Sequence, residues 1–461
     1  MKIKNISLIL AGALSISMLN GCGIYKKYNA ADIDSQLVKE YSQALDAQPD
    51  SMELGNMSWR QVFTDPVLAG LIDNALQNNK DLANAKLNVD MAHAQLKGAR
   101  LSYLPSVVLA PNGAGASYAK SAMSWSYTLP MQVSWEIDIF GKLLNSKRGA
   151  EASYKQAQYY EQAVRSQIIA GVANCYYGIS ALEKQLEISR STAEIWKQSV
   201  QVMRDLKEAG RLNESAVVQS IAQYYSILGS ITDLEVALHQ LNNTMSLLMN
   251  VMPQTWEIPS GASLEMPSNF RRGVPMMALS ARPDVRAAEM NLAAAFYSTA
   301  SARAAFYPGL AITANGGFTN LLGSVIVNPG DWFVQLAGSL TVPVFMRGQN
   351  IARLEAAKAT QKQALNNFEY SLMSGAAEVS EAITTYEKAV EKEDYLAVQV
   401  DNMSKSVDYT SELLIYGGTT TYLEVLTAQQ GLLSAQLSKV NSNLAATQAV
   451  INLYQSLGGG R

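Results

Sequence analysis

Proline leaves two long gaps in this chain, and those gaps decide most of what it can fold into. All 13 prolines lie at or before Pro343, and none falls between Pro130 and Pro253. Because proline breaks helix interiors, two proline-free arms of about 120 residues each predict helices far longer than the average. Inside the arms, apolar or small residues recur at alternating spacings of three and four. One run is Ile221, Tyr224, Leu228, Ile231, Leu238, Met245 and Met249, interrupted by Glu235 and Asn242; another is Leu426, Leu433, Leu437, Val440, Leu444, Thr447, Ile451 and Tyr454. A seam kept over several heptads predicts coiled-coil packing. Each arm is broken once by glycine, at Gly210-Arg211 and at Tyr416-Gly417-Gly418, so each predicts an antiparallel helical hairpin. A helix from about 146 to 208 would be roughly 90 Å long at 1.5 Å per residue.

Between the arms the period changes from helical to two. Every odd position from Met123 to Ile139 is apolar, and the even neighbours include Ser124, Ser126, Thr128, Gln132, Ser134, Glu136 and Asp138. Only a strand with one greasy and one wet face satisfies that alternation. A weaker version runs from Trp332 to Val344, and a glycine-rich, nearly uncharged stretch precedes each. The chain thus predicts two β-hairpins, about 103–140 and 306–346. Aromatic residues near one end (Trp125, Tyr127, Trp332, Phe333) suit the interfacial girdle of a membrane barrel.

The two halves also align on each other. Asp81-Leu82 falls over Asp284-Val285, Arg100 over Arg303, Tyr103-Leu104-Pro105 over Phe306-Tyr307-Pro308, and Gly113 over Gly316, all at an offset of 203. The order helix, strand hairpin, helical hairpin occurs twice, which reads as an internal duplication. The expected boundaries are 66–252 for the first repeat, with its helical hairpin at about 142–250, and 284–461 for the second, with its hairpin at about 348–457. A Pro/Gly-rich connection covers 253–283. Two hairpins supply four strands, too few to close a barrel, and open edges are not tolerated in hydrocarbon. Two copies would give eight strands filled by side chains, whereas three would give twelve with room for a lumen, so a conduit favours a trimer.

The N-terminus reads as an export signal over 1–21: Lys2 and Lys4, then an apolar stretch from Ile6 to Leu19 too short to span a bilayer comfortably. Its end, Leu19-Asn20-Gly21-Cys22, resembles a bacterial lipobox. Cys22 is therefore the expected lipidation site and 22–65 a lipid-anchored extension. Acylation at about 0.8 kcal/mol per methylene would hold the chain without a membrane helix. The absence of an acidic residue directly after Cys22 resembles lipoproteins sent on to the outer membrane. The other cysteine, Cys175, sits in a helical pattern and reads as a buried structural thiol. A net charge of −3 with scattered Lys and Arg offers no track for nucleic acid. The only histidines, His93 and His239, stand alone, and neither a phosphate-cradling loop nor a Gly-x-Ser-x-Gly elbow is present. Neither an enzyme nor a cofactor is expected. The 18 methionines invite a copper or silver relay, but Met203, Met245, Met249 and Met403 fall on the helical seams, where methionine fills gaps.

Two local stretches carry a family resemblance. Trp135-Glu136-Ile137-Asp138-Ile139-Phe140-Gly141-Lys142 looks like the W-x-[IL]-D-[IL]-[FW]-G-[KR] segment of TolC-like outer-membrane factors. Tyr416-x-Gly418-x-x-x-x-Leu423-Glu424-Val425-Leu426-x-Ala428 looks like their last helical turn. Over essentially the whole mature chain, the sequence resembles the lipidated drug- and metal-efflux branch of that family. The resemblance implies an α+β membrane protein: a trimeric 12-stranded β-barrel, four strands per chain, continuous with an α-helical coiled-coil tunnel in the periplasm. It implies a homotrimer in the outer membrane that works with a periplasmic adaptor (membrane fusion protein) and an inner-membrane pump of the resistance-nodulation-division (RND) type. It also implies that Gly210, Arg211, Tyr416, Gly417 and Gly418 at the helix tips meet the adaptor, that Trp135, Asp138, Phe140 and Gly141 form the barrel-to-tunnel junction, and that Glu424 is the periplasmic gate residue. A second carboxylate one turn on, seen in some relatives, is Thr427 here, and the corresponding first-repeat position is Ala216. A solvated helix residue is the competing reading of Glu424. A protein-secretion duct and a non-pore periplasmic lipoprotein are the rival functions.

Overall fold

The structure is a computed structural model, and it describes residues 25–46, 57–117, 119, 122–264, 276–319, 331–417 and 420–460. Cys22 and Gly418 lie outside the described residues. The elements, in chain order, are α1 (Gln36–Asp46), α2 (Trp59–Val62), α3 (Pro66–Asn78), α4 (Lys80–Leu101), β1 (Ser106–Leu109), β2 (Asn112–Ala116), β3 (Ser124–Ile137), α5 (Lys142–Glu208) and α6 (Glu214–Leu248). They continue with α7 (Met276–Ala281), α8 (Pro283–Ala304), β4 (Gly309–Thr319), β5 (Asp331–Thr341), α9 (Gln349–Glu412), a π-helical turn (Leu413–Gly417) and α10 (Tyr422–Ser456). The second half repeats the first almost length for length: α4 and α8 have 22 residues each, α5 and α9 have 67 and 64, and α6 and α10 have 35 each.

The chain divides into two compact units. One comprises residues up to Ser42 with Leu87–Tyr159 and Arg286–Tyr370; the other comprises Gln43–Lys86, Tyr160–Val285 and Ser371–Arg461. The first unit holds one antiparallel sheet in the order β1-β3-β4-β5, with β2 also paired to β3. β1 and β2 are one strand in a single register, Leu109 opposite Met131 and Asn112 opposite Thr128. Pro111, which has no N–H to give, separates them, so the sheet has four strands' worth of width. Helix α1 is pinned to two helices of the second half, α8 and α9: Tyr41 is fully buried, meets Phe368 edge-on at 5.1 Å and donates a 2.8 Å hydrogen bond to Glu289.

The second unit is a helical core around Tyr176, Tyr454, Phe63, Leu68, Ile72, Met245 and Met249. Two polar clusters sit in it. Asp65 accepts from Val67 N at the start of α3 and from the Tyr176 hydroxyl at 2.6 Å. Arg282, 6% exposed, pairs with Asp284 and Glu378 at 2.7 Å each and donates to the Ser456 carbonyl, so no charge is buried alone. Cys175 is buried as expected, and burial pushes its thiol up to about 11. Met203, Met245 and Met249 are buried among apolar neighbours, and among the described residues no three His, Cys, Asp or Glu gather as a metal site.

Candidate functional site

The sheet comes first, because its register sorts every strand residue onto one of two faces. Residues directly opposite each other share a face. One face therefore carries Val107 and Leu109, then Trp125, Tyr127, Leu129, Met131, Val133, Trp135 and Ile137, then Leu310, Ile312, Ala314 and Phe318, then Trp332, Val334, Leu336 and Leu340. No charged side chain interrupts it. These groups are also left uncovered within the chain: Trp332 and Leu336 are each 75% exposed and Trp125 is 58% exposed. The opposite face is small and polar, with Ser124, Ser126, Thr128, Gln132, Ser134, Thr313, Asn315, Thr319, Gln335, Ser339 and Thr341; Val108, Pro130 and Phe333 are its exceptions. So large an exposed apolar face marks a surface that water does not cover. Gly317 lies opposite Pro130, and a Cβ there would strike the Leu129 carbonyl, so glycine is what lets β3 and β4 approach.

The turn from β3 into α5 uses each predicted junction residue. Trp135 donates its indole N–H to the Tyr103 carbonyl at 2.9 Å. The Asp138 carboxylate accepts from Leu144 N at 2.7 Å, satisfying a free donor in the first turn of α5. Phe140 stacks on Tyr307 from the second half, centroids 5.0 Å apart and planes 21° apart. Gly141 takes φ +69°, a left-handed conformation that a side chain would strain.

At the helix tips the two hairpins end differently. Gly210 at φ +68° closes α5 in a Schellman motif, with Gly210 N bonded to Lys207 O and Arg211 N to Leu206 O, both at 2.9 Å. Tyr416 and Gly417 do not lie in a loop: they close α9 as the last residues of its π turn, and Tyr416 is exposed. Asn213 caps α6 through Ala216 N, whereas α10 starts with a capping box in which Glu424 turns back to accept from Thr421 N at 3.3 Å and from the Thr420 hydroxyl. Those two bonds, the hydroxyl's first, hold the Glu424 carboxyl below its ordinary range, so it stays charged while exposed. The box Thr421-x-x-Glu424 was readable in the sequence, and its local role was missed there. Beneath the tips Met203, Ala216, Val217, Leu414, Tyr422 and Val425 form a small shared core.

A sheet with one uncharged, uncovered apolar face and two open edges suits a subunit of a membrane protein. Comparison with known proteins places it: the profile of the outer membrane efflux protein family matches residues 71–251 and again 274–459, and the chain belongs to that family. It is 28% identical to the probable outer membrane lipoprotein SilC of Salmonella typhimurium, covering 87% of this chain and 88% of SilC. It is 27% identical to the antibiotic efflux pump outer membrane protein ArpC of Pseudomonas putida, covering 98% and 95%. A crystal structure of CusC superposes with a TM-score of 0.80 at 25% identity, covering 90% of this chain and 99% of the other. The chain is thus an outer-membrane efflux channel protein, not an enzyme.

Proposed function

We propose that three copies of this chain close a 12-stranded barrel and form the exit duct of a tripartite efflux system. The observation that carries this is the four-stranded sheet with one uncharged apolar face and an open outer edge on each side, along β1/β2 and along β5. Each unpaired backbone group in hydrocarbon costs several kcal/mol, so the edges must pair with further copies. Three copies leave a lumen lined by the Ser, Thr, Asn and Gln face. Cys22 carries the lipid anchor. The relatives' names supply the substrate class, since SilC and ArpC stand beside a cation efflux protein, CusC, and a toluene efflux protein, TtgC. The cargo here is accordingly toxic cations or small organic compounds delivered by an inner-membrane pump of the RND type through a periplasmic adaptor. Gly210, Arg211, Tyr416, Gly417 and Gly418 are the adaptor contacts. Three Glu424 carboxylates, one per subunit, make the periplasmic mouth cation-preferring. Planar-bilayer recording of the purified protein tests the duct. Stepwise conductance from a species that cross-links to a trimer is expected; a cross-linked trimer that never conducts, even with its tips altered, would overturn it.

A further inference from the structure

The two open edges of the sheet turn their unpaired backbone groups outward at matching positions. Along an antiparallel strand, alternate residues direct their N–H and C=O to opposite sides. Ala110 donates its N–H to the Pro130 carbonyl at 3.1 Å, so even-numbered residues of the β1/β2 edge bond inward to β3. The backbone groups of Val107, Leu109, Pro111, Gly113 and Gly115 therefore point outward. Carried through the registers of β3 with β4 and of β4 with β5, the same alternation leaves those of Trp332, Val334, Leu336, Gly338 and Leu340 pointing outward along β5. Both sets belong to the apolar face. Hydrogen-bonded to each other, they carry that face unbroken from one copy to the next, whereas a slip of one residue would set apolar groups against the polar face.

We propose that β5 of one copy pairs antiparallel with the β1/β2 edge of the next in a single register, Asp331 opposite Ala116 and Thr341 opposite Ser106. This rests on the trimeric barrel of the proposed function and adds the register of its seams. β5 has 11 residues, and the facing edge, from 106 to 116, has as many, so this is the one register that pairs every position of both. Within a copy the rungs lead from Asn112 through Thr128 and Thr319 to Asp331. Closing on Ala116 in place of Asn112 staggers each copy by four residues. At about 3.4 Å per residue over four strands about 4.8 Å apart, that is a tilt of about 35°. Closed membrane barrels tilt by about 35–45°. A stagger of two residues gives only about 20°, and one of six gives about 47° and leaves two positions of each edge unpaired. At a tilt of 35° the 11 rungs rise about 28 Å, close to the thickness of a hydrocarbon core. The side chains agree with the register: Trp332 meets Gly115, Val334 meets Gly113 and Leu109 meets Gly338, so bulk on one edge faces glycine on the other at three rungs. A Cβ on Gly115 would stand 3.0 Å from the Trp125 ring, so glycine leaves room there for an indole from each copy. Pro111, which has no N–H, falls opposite Leu336 and leaves that rung one bond short.

Cysteine pairs across the seam read the register directly. Gln335 and Asn112 would face each other as a pair without mutual backbone bonds, with Cα atoms about 4.5 Å apart, inside the range a disulfide bridges. Within one copy they lie on opposite edges of the sheet, about 14 Å apart, so they can link only neighbouring copies. Gln335→Cys is combined in the full chain with Asn112→Cys, with Ala110→Cys or with Ala114→Cys, the last two reporting staggers of two and six. The membrane-embedded proteins are then oxidised with copper phenanthroline, each single-cysteine variant giving the background. Covalent dimer and trimer are expected to form roughly tenfold faster with Asn112→Cys than with either other pair. Faster linking through position 110 or 114 would overturn the register. No linking by any pair, while an amine-reactive cross-linker still captures the trimer, would overturn the seam and leave the trimeric duct standing. Failure of the amine-reactive cross-linker to capture a trimer would overturn the duct reading, and the seam with it.

Discussion

At the scale of single residues, Glu424 has two jobs that a substitution can separate. As the third residue of α10 it completes a capping box, and in the proposed duct its exposed charge would act on passing ions. Glutamine can still accept from Thr421 N, because the box tolerates either side chain. Glu424→Gln should leave α10 intact by circular dichroism and lower the cation preference seen as reversal potential in a salt gradient; an unchanged reversal potential would remove the charge from the mouth. Glu424→Ala should lose both, the charge and the N3 half of the capping box. Because the carboxyl titrates below its ordinary range, its stabilising contribution is complete above that range and fades as pH falls through the lowered value. Cation preference should therefore persist to lower pH than an unassisted glutamate would allow. The capping signature was legible in the sequence as Thr421-x-x-Glu424, while the added Thr420 hydroxyl bond was not, since a spacing pattern does not report the rotamer the Glu424 side chain takes, and the Gln185–Asn441 link was not, since it depends on which residues two separate helices bring together.

At the scale of elements, strand β3 was fully legible because its alternation survives for seventeen positions, from Met123 to Ile139. The break between β1 and β2 and the π turn after α9 were not: a periodic pattern does not report where one backbone hydrogen bond is lost or shifted. Gly317 is the sheet's most demanding position, and Gly317→Val should prevent β3 from pairing with β4. The expected result is loss of the cross-linked trimer on gels while the helical signal by circular dichroism remains. Helix α1 carries a helical period of its own, with Val38 and Tyr41 three residues apart and both fully buried, and Tyr28 ahead of it meets Phe296 edge-on. Tyr41 meets Glu289, whose carboxyl is raised above its ordinary range by burial, against the opposing pull of Tyr41, Arg286 and Lys155. A raised carboxyl contributes stability that is full below the ordinary range and is lost as pH rises through the higher value. The α1 segment should thus resist protease better at pH 5 than at pH 8, and Glu289→Gln should flatten that difference.

At the scale of the whole molecule, the anchor and the sheet constrain each other. Tyr25 donates its hydroxyl to the Ile139 carbonyl, just beyond the end of β3, and Arg148 at the start of α5 donates to the Tyr25 carbonyl at 3.2 Å. Cys22 precedes Tyr25 by three residues, which extend at most about 11 Å. An acyl group on Cys22 would therefore enter the membrane close to the strand-to-helix turn, at the level where the apolar face of the sheet stops and the charged pair Glu136–Lys142 begins. Under the proposed function, a sequence signal and a sheet register would set the membrane boundary at the same end of β3. In the proposed duct a lipid on Cys22 would hold the chain near the bilayer before the barrel exists, whereas the closed barrel would hold itself there by its own apolar face. Cys22→Ser should accordingly abolish fatty-acid labelling and lower the yield of membrane-inserted trimer, while each trimer that does form conducts as the unaltered one does. Equal yield with and without the anchor would show that the sheet finds the membrane unaided, and altered conductance would mean that the anchor shapes the duct as well as delivering it.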